Sequence, residues 1–154
     1  MPLLGSMNHV SITVSDLERA LQFFGPFLQF LGYDQTELIR DPSSGQRLSV
    51  NINSGNGATL NVWEAKPELA RHPFHVYEVG LHHIAFNTDT REQVDRACEL
   101  VQRLGGQILD GPGEFPYDPT GWYAVYFLGP DGLKFEVVHH AGSLRAYALS
   151  RGLP

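Results

Sequence analysis

Two histidines and a glutamate, His9, His83 and Glu136, occupy matching places in two stretches of this sequence that share one order of features. Each histidine opens an apolar run, and Glu136 lies inside another, Leu133-Lys134-Phe135-Glu136-Val137-Val138. A carboxylate there is costly to bury without a cation beside it. Two imidazoles and one carboxylate form a donor set that a divalent first-row metal accepts while keeping positions open for water or substrate. The chemistry would be that of a Lewis-acid or redox centre. Asn61, within Leu60-Asn61-Val62, takes the place of Glu136 in the first stretch. A lone histidine at a strand end is more often a surface residue than a ligand, and a repeat is what raises the standing of these.

The elements that must position these residues follow from hydrophobic periodicity. Val10, Ile12 and Val14 alternate with His9, Ser11 and Thr13, the period of a half-buried strand, so His9 and Ser11 share a face. Ser15 or Asp16 supplies an N-cap for a helix that buries Leu17, Ala20, Leu21, Phe24, Leu28 and Leu31. Gly25-Pro26 predicts a kink or a break into two short helices, and Gly32 closes the element. Turn clusters then separate strands near 35–40, 46–52 and 58–64. After a polar linker over 66–78 the pattern recurs: a strand over Leu81–Asn87, a helix over Thr90–Leu104 with Val94, Ala97, Cys98, Val101 and Leu104 on one face, and strands near 107–110, 122–128 and 133–139. His9 to His83, Leu31 to Leu104 and Asn61 to Glu136 are offset by 74, 73 and 75 residues. Offsets this steady predict a βαβββ module used twice. If two such modules pack as pseudo-symmetric halves, within one chain or across a dimer, His9, Asn61, His83 and Glu136 approach a common cavity.

A chain of 154 residues suits one domain of ordinary size, and 42% apolar against 18% charged residues describes a globular chain. The formal charge of −6, with no cluster of Lys and Arg, argues against nucleic acid as partner. The single cysteine, Cys98, excludes an internal disulfide framework and fits a reducing cytoplasm. No run is apolar enough for a membrane span or a signal peptide, so a cytoplasmic protein without membrane contact is expected.

Three motifs together resemble the vicinal oxygen chelate superfamily of glyoxalases, bleomycin resistance proteins and extradiol dioxygenases: Asn8-His9-Val10-Ser11-Ile12-Thr13-Val14-Ser15-Asp16-Leu17, His83-Ile84-Ala85-Phe86, and Gly129-Pro130-Asp131-Gly132-Leu133-Lys134-Phe135-Glu136. The resemblance covers Met7 to His140. It implies an α+β fold in which two βαβββ modules, 7–65 and 79–140, build one open-barrel domain over 7–140, followed by a C-terminal extension over 141–154. It also implies His9, His83 and Glu136 as ligands of a divalent ion (Zn, Ni, Mn or Fe), with Glu136 taking part in catalysis as well. Ser11, Asn61, Trp122, Tyr126 and Arg145 are the expected contacts to a small substrate offering adjacent oxygens. A homodimer is expected.

The resemblance does not select one reaction. Glyoxalase I carries a second glutamate where this chain has Asn61, and Glu64 has the wrong strand parity to replace it. The fosfomycin-resistance thiol transferases share the opening motif and an arginine nine residues past the last ligand, here Arg145, but their short loop before the last hairpin is replaced by the longer Gly111–Tyr123. Glyoxalase-like lyase or isomerase chemistry is the first expectation, ahead of extradiol-type ring cleavage and thiol transfer. The competing expectation is a bleomycin-resistance-like binding protein in which Trp63, Trp122 and Tyr126 grip a ligand without catalysis. His82 is expected on the strand face opposite His83, and His140 is the better candidate of the last two histidines to stand near Glu136.

Overall fold

The computed structural model describes residues 4–72, 74–118 and 120–140. Arg145, the helix expected over 143–150 and the extension over 141–154 lie outside the described residues. The chain forms two compact units, Met1–Phe74 and His75–Pro154. Each carries one helix and one four-stranded mixed sheet, an α+β architecture in which the βαβββ order occurs twice.

In the first unit β1 (Val10–Val14) leads into α1 (Leu17–Phe30), followed by β2 (Gln35–Arg40), β3 (Arg47–Ile52) and β4 (Thr59–Glu64). The sheet order is β1-β4-β3-β2, with β1 parallel to β4 and the other neighbours antiparallel. Asp16 caps α1, its carboxylate accepting from the Arg19 amide at 2.9 Å. The expected break at Gly25-Pro26 does not occur, because α1 runs through both residues. Both lie on the exposed side, while Phe23, Phe24, Phe27 and Leu28 around them are buried. An interior proline costs about 3 kcal/mol, and each buried Phe or Leu returns roughly 1.5–3 kcal/mol, so burial decides the outcome.

The second unit contains β5 (Ile84–Asn87), α2 (Arg91–Arg103), β6 (Gln107–Glu114), β7 (Trp122–Leu128) and β8 (Lys134–His140). Its sheet order, β5-β8-β7-β6, repeats that of the first, with β5 parallel to β8. Thr90 and Gln93 close a reciprocal capping box on α2, and Val94, Ala97, Cys98 and Val101 form its buried face. Neither sheet closes on itself.

Two strands differ from their predicted extents. β5 starts at Ile84, so His82 and His83 precede the strand. β6 continues past Asp110 to Glu114 through register shifts on either side of Asp110. Gly111 makes this possible: at φ +80° it lies against the Ala124 carbonyl oxygen, where a Cβ would have no room. The registers of the two sheets correspond as well. Ser11 faces Asn61 across β1 and β4, and Ala85 faces Glu136 across β5 and β8.

Candidate metal centre

The two faces of the second sheet are told apart by their partners. Tyr123 donates its hydroxyl to Asp95 of α2 at 2.7 Å, so the face carrying Tyr123, Val125 and Phe127 meets the helix. Trp122, Ala124 and Tyr126 project from the other face, opposite His140, Val138 and Glu136 of β8. On that side Glu136 is the buried carboxylate among the described residues, 2% exposed.

The carboxylate of Glu136 is divided in function. Its Oε1 accepts from Trp122 Nε1 and from the Tyr126 hydroxyl, both at 2.8 Å. Its Oε2 faces His83 Nε2 at 3.1 Å. Burial first, and the bond to Glu136 second, hold the Tyr126 phenol above its ordinary range, so it remains a donor. One carboxylate oxygen is thus committed and the other presented to an imidazole that is one third exposed, 32%.

The histidine ring is itself oriented. His82 Nδ1 lies 2.7 Å from His83 Nδ1, and burial first, then the charges of Lys134 and His83, keep His82 below the usual imidazole value. A neutral His82 can serve as donor or acceptor by changing tautomer. When His83 donates Nε2–H to Glu136, His82 donates to His83. With a cation on Nε2 the single proton of a neutral His83 would move to Nδ1 and be donated to His82, which would then accept. This second arrangement is the orientation that metal-bound histidines usually have. In the first unit His9 Nδ1 lies 2.7 Å from the Asn8 side-chain oxygen, an acceptor, which places the proton on Nδ1 and leaves the Nε2 lone pair free. The donor chemistry therefore fits a divalent ion. Among the described residues the His83–Glu136 pair does not grow into a cluster of three or more His, Cys, Asp or Glu side chains.

The remaining expected site residues fall as follows. Asn61 donates to Ser11 Oγ at 3.3 Å, and its own Oδ1 is buried without a hydrogen-bond partner among the described residues. Glu64 is occupied elsewhere, in a forked pair with Arg47 at 2.7 and 2.9 Å, and that bond lowers its pKa. Trp122 and Tyr126 both reach Glu136. Sequence reasoning missed His82 as the partner of His83, since strand alternation was assumed where no strand exists. It also missed Phe115 and Tyr117. Phe115 meets Tyr126 edge-on at 5.1 Å and stacks on Tyr117 at 5.6 Å, and Tyr117 reaches Trp122 at 6.1 Å. Their alternating aromatic spacing was visible within the loop, but not what it would face.

The sequence profile described as the Glyoxalase/Bleomycin resistance protein/Dioxygenase superfamily matches residues 6–137. The chain belongs to this superfamily. It is 30% identical over 132 residues to the uncharacterised Bacillus subtilis protein YqjT, covering 86% of this chain and 97% of that one. It is 29% identical over 141 residues to the metallothiol transferase FosB of Lysinibacillus sphaericus, covering 91% and 84%. The crystal structure of a putative glyoxalase from Bacillus halodurans shares the fold with a TM-score of 0.69 at 28% identity, covering 89% of this chain and 97% of the other. Among the described residues no helix is long and apolar enough to cross a membrane.

Proposed function

We propose that this superfamily member is a metal-dependent enzyme in which His9, His83 and Glu136 hold a divalent ion, Zn, Ni, Mn or Fe, for a small substrate with adjacent oxygens. When bound, the ion supplies Lewis-acid stabilisation of negative charge developing on a substrate oxygen. The observation that carries this reading is the division of Glu136: two neutral donors hold Oε1, and Oε2 is left to an imidazole nitrogen.

The side chains around Glu136 have separate tasks. Trp122 and Tyr126 fix the plane of the carboxylate, and His82 fixes the ring of His83. Phe115, Tyr117 and Tyr126 give an aromatic lining to the same side of the sheet, suited to the carbon skeleton of a substrate. Ser11 and Asn61 offer a hydroxyl and an amide for substrate oxygens in the first unit, and Arg145 an anion contact. Glyoxalase-like lyase or isomerase chemistry is the first choice, with Glu136 also moving a proton. The likeness to a metallothiol transferase makes thiol transfer the second. The working form is a cytoplasmic homodimer.

Elemental analysis of protein purified without chelators tests the reading, repeated on His9→Ala, His83→Ala and Glu136→Ala. One metal per chain in the parent, lost in each variant, is expected. A parent that takes up no Zn, Ni, Mn or Fe at micromolar concentration would leave a ligand-binding protein as the better description.

A further inference from the structure

A second polar cluster stands on the Glu136 side of the second sheet. His140, at the end of β8, is the direct cross-strand neighbour of Trp122, and their rings lie 5.2 Å apart. The His140 side chain is 5% exposed and that of Asp118 10%. His140 Nε2 faces Asp118 Oδ2 at 3.5 Å and Thr120 Oγ1 at 3.3 Å. Thr120 donates its hydroxyl to Asp118 Oδ1 at 2.5 Å, so toward His140 the threonine oxygen can only accept. Both groups facing Nε2 are therefore acceptors, and the ring proton belongs on Nε2. A neutral ring then carries its lone pair on Nδ1. That atom is buried and has no hydrogen-bond partner among the described residues.

We propose that His140, positioned by Asp118 and Thr120, accepts a proton from a hydroxyl of the ligand bound beside Glu136, so that the ligands of this site are hydroxylated small molecules. The location rests on the functional reading above, because Trp122 joins the two clusters: its ring contacts His140 and its Nε1 donates to Glu136. In the step, the ligand O–H bond breaks and a bond to Nδ1 forms. The electron pair stays on the ligand oxygen as an oxyanion, and the imidazolium is balanced by the Asp118 carboxylate next to it. A buried acceptor with no donor of its own is what such a ligand would complete. A bland alternative, a histidine that only staples the 118–120 turn to β8, needs Nε2 but has no use for a bare Nδ1.

The test is nitrogen NMR of full-length protein carrying 15N-labelled histidine, with and without zinc, titrated to millimolar catechol, glycolate and dihydroxyacetone. The expected result is Nε2–H with a bare Nδ1 in the free protein, and an Nδ1 resonance shifted by at least one of the three probes. In Asp118→Asn the same probe should bind at least tenfold more weakly. A proton on Nδ1 in the free protein overturns the proposal, as does an Nδ1 resonance unmoved by all three probes. Zinc stoichiometry measured on the same samples separates the two readings: an Nδ1 response without zinc uptake removes the metal and keeps the base, and zinc uptake with a silent Nδ1 does the reverse.

Discussion

His83 Nε2 and Glu136 Oε2 stand 3.1 Å apart, a distance at which either a shared proton or a shared cation can hold them together. A divalent ion on Nε2 would move the proton of a neutral His83 to Nδ1, so binding should swap the tautomers of His83 and His82. Nitrogen NMR of protein carrying 15N-labelled histidine should find the His83 proton on Nε2 without zinc and on Nδ1 with it. A His83 tautomer unmoved by zinc would show that the ion binds elsewhere.

Removing the glutamate side chain should hurt the fold as well as the site. Glu136→Ala leaves the Trp122 N–H and the Tyr126 O–H without their acceptor, and a loss of about 2–5 kcal/mol is expected by urea denaturation. Glu136→Gln keeps a carbonyl acceptor and should cost less than half as much, while still losing metal. Equal stability losses in the two variants would contradict this account of the buried carboxylate.

Trp122→Phe removes one donor to Glu136 Oε1 and keeps most of the aromatic volume. Metal affinity is expected to fall by about 10–100-fold with the fold intact, the usual effect of losing a group that orients a ligand. Competition titration against a chromophoric chelator would measure it, and an unchanged affinity would remove Trp122 from the site.

Acid should loosen the turn between β2 and β3 at a predictable place. The hydroxyls of Ser43 and Ser44 and the Ser44 amide bond to Asp41, and these bonds lower its carboxyl from an ordinary 3.8 to about 2. The sign follows from that depression: the contribution is fully present above about pH 4 and is lost as pH falls toward 2. Protection of the Gly45 amide, whose N–H bonds to the Asp41 carbonyl, should fall over that window relative to the intrinsic exchange rate at each pH, and Asp41→Asn should flatten the change.

Gly111→Ala is expected to destabilise the second unit by about 2–4 kcal/mol, since the new methyl combines a left-handed backbone with a collision against the Ala124 carbonyl. Thermal unfolding would show it. A neutral result would mean that β6 can shift its register without loss.

Sequence patterns made the strands and helices legible wherever neighbours decide structure. Val10, Ile12 and Val14 alternate, Thr90 and Gln93 spell a capping box, and the 73 to 75 residue offsets carry the repeat. In the structure Trp122 and Tyr126 share a face of β7, opposite His140 and Glu136 of β8. Local patterning failed for α1, where proline chemistry predicts an interruption and four buried apolar side chains override it. It also failed before β5, where His82 and His83 touch because no pleat separates them.

Residue types and their order alone determined the superfamily, the doubled βαβββ plan and the candidate ligands His9, His83 and Glu136, because each depends on local periodicity or on spacing along the chain. Only tertiary structure decided which oxygen of Glu136 is occupied, that Glu64 belongs to Arg47, and that Asp118 and Thr120 set the tautomer of His140. Those outcomes turn on hydrogen bonds between residues 10 to 22 positions apart or brought together by loops, and an irregular loop has no period from which its direction can be read.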